Sequence, residues 1–303
     1  MPVVIVFGGS EGGSFVARTY APMLAAQGFA ALGLPYYSPG YDPKDRLPGL
    51  PTSFTDIPGD RLAEVKKWID AQPDLDGRRI AIWGVSKGGE FAMLAASRLP
   101  WLTAVVSVVP SDVVWEGWGG QGPATASFSW DGKALPFVPY LGVDLELARV
   151  ARGERMEMRR PNIAGRAANP ERVRAATIPV ENFAGEMLVI GGDDDRVWPS
   201  AGMARAIAER RDEAGRTTAL NLVRCRPRAC RAQYRACATH AGQWRNRRRA
   251  CCRTQHGVGG HDRIPDAKPE AGHRSMRVFV MMIAAASIAA TAADRMADVD
   301  RQA

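Results

Sequence analysis

Between Pro2 and about Arg224 the apolar positions fall into two alternating patterns, and the alternation predicts the fold. Val3-Val4-Ile5-Val6-Phe7 is a continuous apolar run closed by Gly8-Gly9, which suits a strand buried on both faces. Ser14 to Gln27 spaces Phe15, Tyr20, Met23 and Leu24 as a helix does, and Gly28 supplies the stop. Phe29 to Leu34 is a second strand, and Tyr36 to Ile57, rich in Pro, Gly and Asp, is a loop. Asp60 to Ala71 sets Leu62, Val65, Trp68 and Ile69 on one face of a helix. Arg79–Trp83 is a strand, Ser86–Arg98 a helix and Leu102–Val109 a strand. A Gly/Trp/Pro-rich insertion covers roughly Trp115 to Ile178, followed by a strand at Met187–Ile190, a helix at Pro199–Arg211 and a last strand at Thr218–Val223. Strands and helices in alternation, with the strands apolar throughout, predict a mostly parallel sheet covered by helices on both faces, an α/β class.

Composition refines this picture. The chain has 303 residues, 46% hydrophobic and 24% charged, which excludes a disordered, collagen-like or polytopic membrane protein. The formal charge is +8, yet ten arginines lie between Arg224 and Arg253 and no Asp or Glu occurs between Glu213 and Asp262. The body is therefore slightly acidic, and the basic balance belongs to one segment. All five cysteines and all four histidines lie beyond Val223. The expected division is an α/β domain over residues 2–223 and a basic, irregular tail over 224–303. The first strand follows Met1 at once, with no charged or apolar leader region. The expectation is a cytoplasmic protein whose earliest sheet strands are missing.

Three loops carry candidate chemistry. Gly84-Val85-Ser86-Lys87-Gly88 matches G-x-S-x-G between a strand and a helix. A sharp turn there lifts a serine hydroxyl above the sheet, and the crowding at such a turn demands glycine. Phe7-Gly8-Gly9-Ser10-Glu11-Gly12-Gly13 lacks both the G-K-[ST] ending of a phosphate loop and the dinucleotide spacing. It reads better as an oxyanion loop, with the amides of Ser10 and Lys87 as the two donors, beside the plainer reading of a structural turn. Gly192-Asp193-Asp194-Asp195 ends a late strand, where a catalytic acid belongs in the chain order Ser, Asp, His. Three adjacent aspartates leave the choice open on spacing alone.

Together these residues resemble the C-terminal domain of the acyl-CoA thioester hydrolase and bile acid-CoA:amino acid N-acyltransferase family, a dienelactone hydrolase-like α/β-hydrolase. The likeness rests on Gly8 to Gly13, on Gly84 to Glu90, on Ser129-Trp130 with Lys133-Ala134-Leu135-Pro136-Phe137 in the insertion, and on Ile178 to Glu181 with Gly192 to Ser200. It covers residues 2 to 223. The resemblance implies that Ser86 is the nucleophile, that Asp195, three residues before Trp198, is the acid, and that serine in place of cysteine goes with hydrolysis rather than amino-acid conjugation. It implies a small-molecule acyl thioester or ester as substrate, with no cofactor, metal, nucleic acid or membrane involved. Two alternatives remain: a carboxylesterase acting on small esters, and an inactive or binding-only product.

The general base is missing. A serine hydroxyl needs a neighbouring histidine to react at neutral pH, and residues 1–223 contain none. The resemblance implies an Ala-Gly-His turn just after the last strand, where this chain reads Arg224-Cys225-Arg226-Pro227-Arg228-Ala229-Cys230. Codons permitted for Val223 to Cys230, read one base later, spell Cys-Asp-Ala-Gly-His-Ala-Leu. The same shift turns His256 to Pro265 into Met-Ala-Trp-Ala-Ala-Thr-Ile-Gly-Phe-Leu, an apolar closing segment. The sequence reading is thus a frame slip near Val223. Competing readings of the tail are weaker. The arginines with Tyr234 and Trp244 would suit phosphate contacts but sit in no nucleic-acid module, and Cys230, Cys237, His240, Cys251, Cys252 and His256 contain no C-x-x-C pair for zinc. Ala271-Gly272-His273 lies too far past Asp195, and the apolar stretch Val278–Ala293 is short for a membrane span.

Overall fold

The computed structural model of this chain describes residues 1–223, apart from Asp42 and the side chain of Asp45. The frame-slip histidine, the basic segment, the zinc candidates, the Ala271-Gly272-His273 turn and the apolar stretch after Val278 lie outside the described residues.

In chain order the elements are β1 (Pro2–Phe7), α1 (Phe15–Ala25), β2 (Ala30–Gly33), β3 (Ile57–Pro58), α2 (Leu62–Asp70), β4 (Asp76–Val85), α3 (Lys87–Arg98), β5 (Leu102–Val108), β6 (Phe128–Trp130), β7 (Lys133–Ala134), α4 (Val143–Ala151), α5 (Arg159–Ala168), α6 (Pro170–Ala176), β8 (Glu186–Gly192), α7 (Ser200–Glu213) and β9 (Ala219–Val223). Six strands form one sheet in the order β2-β1-β4-β5-β8-β9, and every pairing in it is parallel. This is the α/β-hydrolase arrangement of a parallel sheet with helices on both faces. Two apolar clusters cover its faces, one holding Ile5, Ile82, Phe91 and Val105, the other Val4, Val6, Trp83 and Val106. Alternate residues of β1 and β4 point into opposite clusters, which is why these strands read as unbroken apolar runs.

The chain runs from β1 outward to β2 and then returns to place β4 on the other side of β1. The β1/β4 boundary is therefore a switch point, where the loops leaving the strand ends diverge and open a crevice. The glycine loop follows β1 and the Gly84–Gly88 turn follows β4, so both candidate loops meet there.

The insertion is more ordered than its composition predicts. It contains β6, β7 and three helices, and β3-β6-β7 form a second small sheet. Its helices escape a hydrophobic-pattern reading because α4 is inverted. Glu146 is its buried residue, held by Arg160 at 2.9 Å, whereas Leu145 and Leu147 are exposed. Trp68 and Phe15, expected on buried helix faces, are instead more than half exposed. Val16, Ala17 and Leu24 turn α1 onto the sheet, and Leu62 and Ile69 do so for α2.

Candidate active site

Ser86 sits at φ 56°, ψ −121° between β4 and α3. A positive φ is strained for any residue with a Cβ and persists only where the surroundings impose it. The surroundings are visible. The Ser86 amide donates to the Val108 carbonyl at 2.9 Å, and the Ser86 carbonyl accepts the Glu90 amide at 3.0 Å. A Cβ on Gly84 would overlap the Gly88 carbonyl, one on Gly88 would overlap the Gly8 carbonyl, and one on Gly89 would meet the Ser107 hydroxyl at 2.6 Å. The turn therefore closes only on glycines. Ser86 itself remains half-buried, and the N-terminus of α3 lies directly beneath it, favouring developing negative charge.

The glycine loop packs against this turn. A Cβ on Gly9 would stand 3.0 Å from the Ser86 Cβ, so the loop after β1 lines the serine. Ser10 occupies the turn that follows and is half-buried. Tyr36 braces the loop by donating its hydroxyl to the Gly8 carbonyl at 2.8 Å. The Glu11 carboxylate folds back to accept the Gly9 amide at 2.7 Å. Although the residue as a whole is exposed, crowding of that carboxylate raises its pKa above the ordinary value, against the two backbone amides that lower it. Sequence reasoning assigned Glu11 no part.

Of the three aspartates, the structure distinguishes each by its partners. Asp193 pairs with Arg205 at 2.9 Å, and Asp194 is exposed. Asp195 is half-buried. Its Oδ1 accepts the Val197 and Trp198 amides at 2.9 and 3.3 Å, and its Oδ2 accepts the Ser200 hydroxyl at 2.6 Å. Arg159, at the start of α5, donates to the backbone carbonyls of Asp193 and Asp195 at 3.0 and 3.1 Å, fixing the loop from the insertion side. The Asp193 amide donates to the Val223 carbonyl at 3.0 Å, so the chain leaves β9 beside this loop. Because β4, β8 and β9 are parallel, Ser86, Asp195 and the exit from β9 all lie at one edge of the sheet. One strand, β5, separates the Ser86 and Asp195 strand ends, a spacing of about 10 Å.

Lys87, named for its backbone amide, also carries a side chain that the sequence reading passed over. It is buried, with Nζ 2.6 Å from Glu90 Oε2. The two are a Lys-x-x-Glu spacing on a helix, which ordinarily marks a surface pair. Among the described residues no group of three or more His, Cys, Asp or Glu could hold a metal ion, and no helix is long and apolar enough to cross a membrane.

Comparison with known proteins gives a consistent result. The family model for the BAAT / acyl-CoA thioester hydrolase C terminal matches residues 62–227. The mitochondrial acyl-coenzyme A thioesterase 2 of Mus musculus is 27% identical over 215 residues, covering 71% of this chain and 42% of that protein. Acyl-coenzyme A thioesterase 1 of Homo sapiens is 26% identical over 215 residues, covering 71% and 45%. The peroxisomal succinyl-coenzyme A thioesterase of Mus musculus is 27% identical over 201 residues, covering 66% and 41%. The chain thus spans less than half the length of these curated relatives. Among solved structures, an α/β-hydrolase from Penicillium overlaps 78% of this chain and 88% of its own at a TM-score of 0.40 and 12% identity, a level that decides nothing about chemistry.

Proposed function

Because the chain belongs to the BAAT / acyl-CoA thioester hydrolase C-terminal family, we propose that it carries the catalytic domain of a serine thioesterase. Ser86 attacks the carbonyl carbon of an acyl thioester. The amides of Lys87 and Ser10 receive the oxyanion, the thiolate departs, and water then hydrolyses the acyl-serine. A thiolate leaves more readily than an alkoxide or an amine, since a free thiol ionises near pH 8.5, so the demand for an acid to protonate the leaving group is modest. The demand for a base to activate Ser86 is not. Asp195 orients that base, a histidine supplied by the shifted reading just past Val223. The exit of the chain from β9 beside the Asp195 loop supports this placement, and a gap of about 10 Å leaves room for an imidazole between two inward-reaching side chains. Residues 2–223 form the hydrolase domain in this reading, residues 224–303 are the product of the slipped frame, and the cytoplasm is the site of action.

The observation that carries the proposal is the strained conformation of Ser86 against the glycine loop. The test is hydrolysis of a panel of acyl-CoA thioesters and p-nitrophenyl esters by the 303-residue chain, by a chain with the shifted-frame C-terminus, and by Ser86→Ala versions of both. The expected result is thioester hydrolysis by the shifted-frame chain, abolished by Ser86→Ala, with the 303-residue chain slower by about 10⁶-fold, the loss typical when a triad base is removed. Equal rates for the two C-termini overturn the missing-base argument, and hydrolysis confined to the small esters favours the carboxylesterase alternative. The absence of histidine from residues 1–223 also favours a second reading, in which the chain as written is an inactive product. Sequencing the gene across codon 223 tests it, because codons incompatible with the shifted reading exclude the slip.

A further inference from the structure

The Lys87 ammonium is buried among aromatic rings rather than exposed to solvent. Its Nζ stands 5.4, 5.7 and 5.7 Å from the ring centroids of Phe54, Trp118 and Phe128. Among the described residues its charged partner is Glu90, which is fully buried. The other oxygen of Glu90 accepts the backbone amide of Trp115 at 3.0 Å. Phe54 and Trp118 are bridged through two backbone hydrogen bonds of 2.8 and 3.1 Å, and their rings stack with centroids 4.4 Å apart. Trp115, Trp118 and Phe128 all belong to the insertion. Lys87 and Glu90 belong to the first turn of α3, and the Lys87 amide immediately follows the nucleophile.

A buried ion pair is a poor device for stability alone, since desolvation of both charges offsets most of their attraction. Burial pushes the Lys87 ammonium down and the Glu90 carboxyl up from their ordinary values, and the mutual charge opposes both shifts. Such a pair does, however, fix geometry. The ammonium is held by Glu90 and three rings from different segments, and Glu90 is held in turn by the Trp115 amide.

We propose that the Lys87–Glu90 pair is a positioning device that clamps the aromatic insertion onto the nucleophile turn and thereby aims the Lys87 amide at the oxyanion. The proposal rests on the hydrolase reading for its consequence in rate, though not for the clamp itself. Rigid seating of an amide donor matters because a misplacement of about 1 Å costs on the order of 10²-fold in rate.

The test is the double substitution Lys87→Met with Glu90→Gln in the full chain, which removes both charges with little change of shape and leaves no buried charge unpaired. Hydrogen–deuterium exchange is followed in peptides covering 84–91, 115–118 and 102–108. In the double variant the first two are expected to lose protection together by about tenfold or more while 102–108 in β5 is unchanged. Hydrolysis in the shifted-frame chain is expected to show kcat lower by about 10²-fold with KM within about twofold. Exchange identical to wild type in 84–91 and 115–118 overturns the clamp. Loss of protection with an unchanged kcat overturns its role in aiming the amide. If the shifted-frame chain hydrolyses nothing that its Ser86→Ala version does not, the hydrolase reading fails, and the exchange comparison still decides the clamp. The single Glu90→Gln variant, which strands the ammonium, is expected to melt lower than the double variant. The reverse order counts against a paired charge.

Discussion

Alanine at position 88 adds one methyl group where the serine turn meets the glycine loop, backbone against backbone. That carbon would overlap the Gly8 carbonyl oxygen and stand 2.9 Å from the Phe7 carbonyl oxygen. A comfortable carbon–oxygen contact is about 3.3–3.6 Å, so relief requires a shift on the order of 1 Å. Both obstacles are backbone, and no side-chain rotation can absorb the strain. Either the first turn of α3 or the glycine loop after β1 has to move, and both line Ser86. Overpacking of this kind costs about 1–3 kcal/mol. For a domain of this size each kcal/mol lowers Tm by about 2–4 °C, so Gly88→Ala is expected to melt about 2–12 °C below wild type. In the shifted-frame chain, capture of Ser86 by a fluorophosphonate is expected to slow by about 10²-fold. Gly202→Ala is the matched control. It makes the same chemical change inside α7, where nothing lies within 4 Å of the new carbon, and it should raise Tm slightly by removing backbone freedom from the unfolded chain. A Gly88→Ala protein that melts and reacts like wild type would refute the claim that the glycine loop and the serine turn are in obligatory contact.

Three further predictions follow from other parts of the molecule. Arg211 is 1% exposed and donates to the carbonyls of Val180, Phe183, Gly185 and Thr217 and to the Thr218 hydroxyl. Arg211→Lys cannot reach them all, and a loss of about 2–4 kcal/mol in urea unfolding, with an unchanged m-value, is the expected result. In the shifted-frame chain, Asp195→Asn should lower thioester hydrolysis by about 10⁴-fold while Asp194→Asn leaves it within about twofold; the opposite order would assign the acid to Asp194. Asp76 has its pKa lowered from 3.8 to about 2, chiefly by the Arg79 hydrogen bond. Its contribution is therefore present above about pH 4 and lost as the pH falls toward 2. Acid unfolding of Asp76→Asn is expected to show a shallower fall in stability across that window, and an unchanged profile would show that the Arg79 contact contributes nothing.

Much of the fold was legible because a parallel sheet buried on both faces writes itself as continuous apolar runs. β1, β5 and β8 begin and end within a residue or two of their predicted limits, and β4 extends beyond its predicted run at both ends. The helices were less regular. In α3 eleven residues, Lys87 to Ser97, are buried, so its place was marked by the G-x-S-x-G turn rather than by an amphipathic stripe. In α4 the buried residue is a glutamate neutralised by an arginine from α5, and no hydrophobic pattern can report a charge that is satisfied from another element.

The residue types at the candidate site follow from local requirements that the sequence carries by itself. A turn this tight needs glycine at 84, 88 and 89, and a strand covered on both sides needs an apolar run before it. These demands are short-range and leave a local signature. Which aspartate is held by Ser200, what surrounds the Lys87 ammonium, and how Arg159 reaches the Asp195 loop were decided only in three dimensions. Each depends on partners brought together from distant parts of the chain, and spacing along the sequence does not encode those distances.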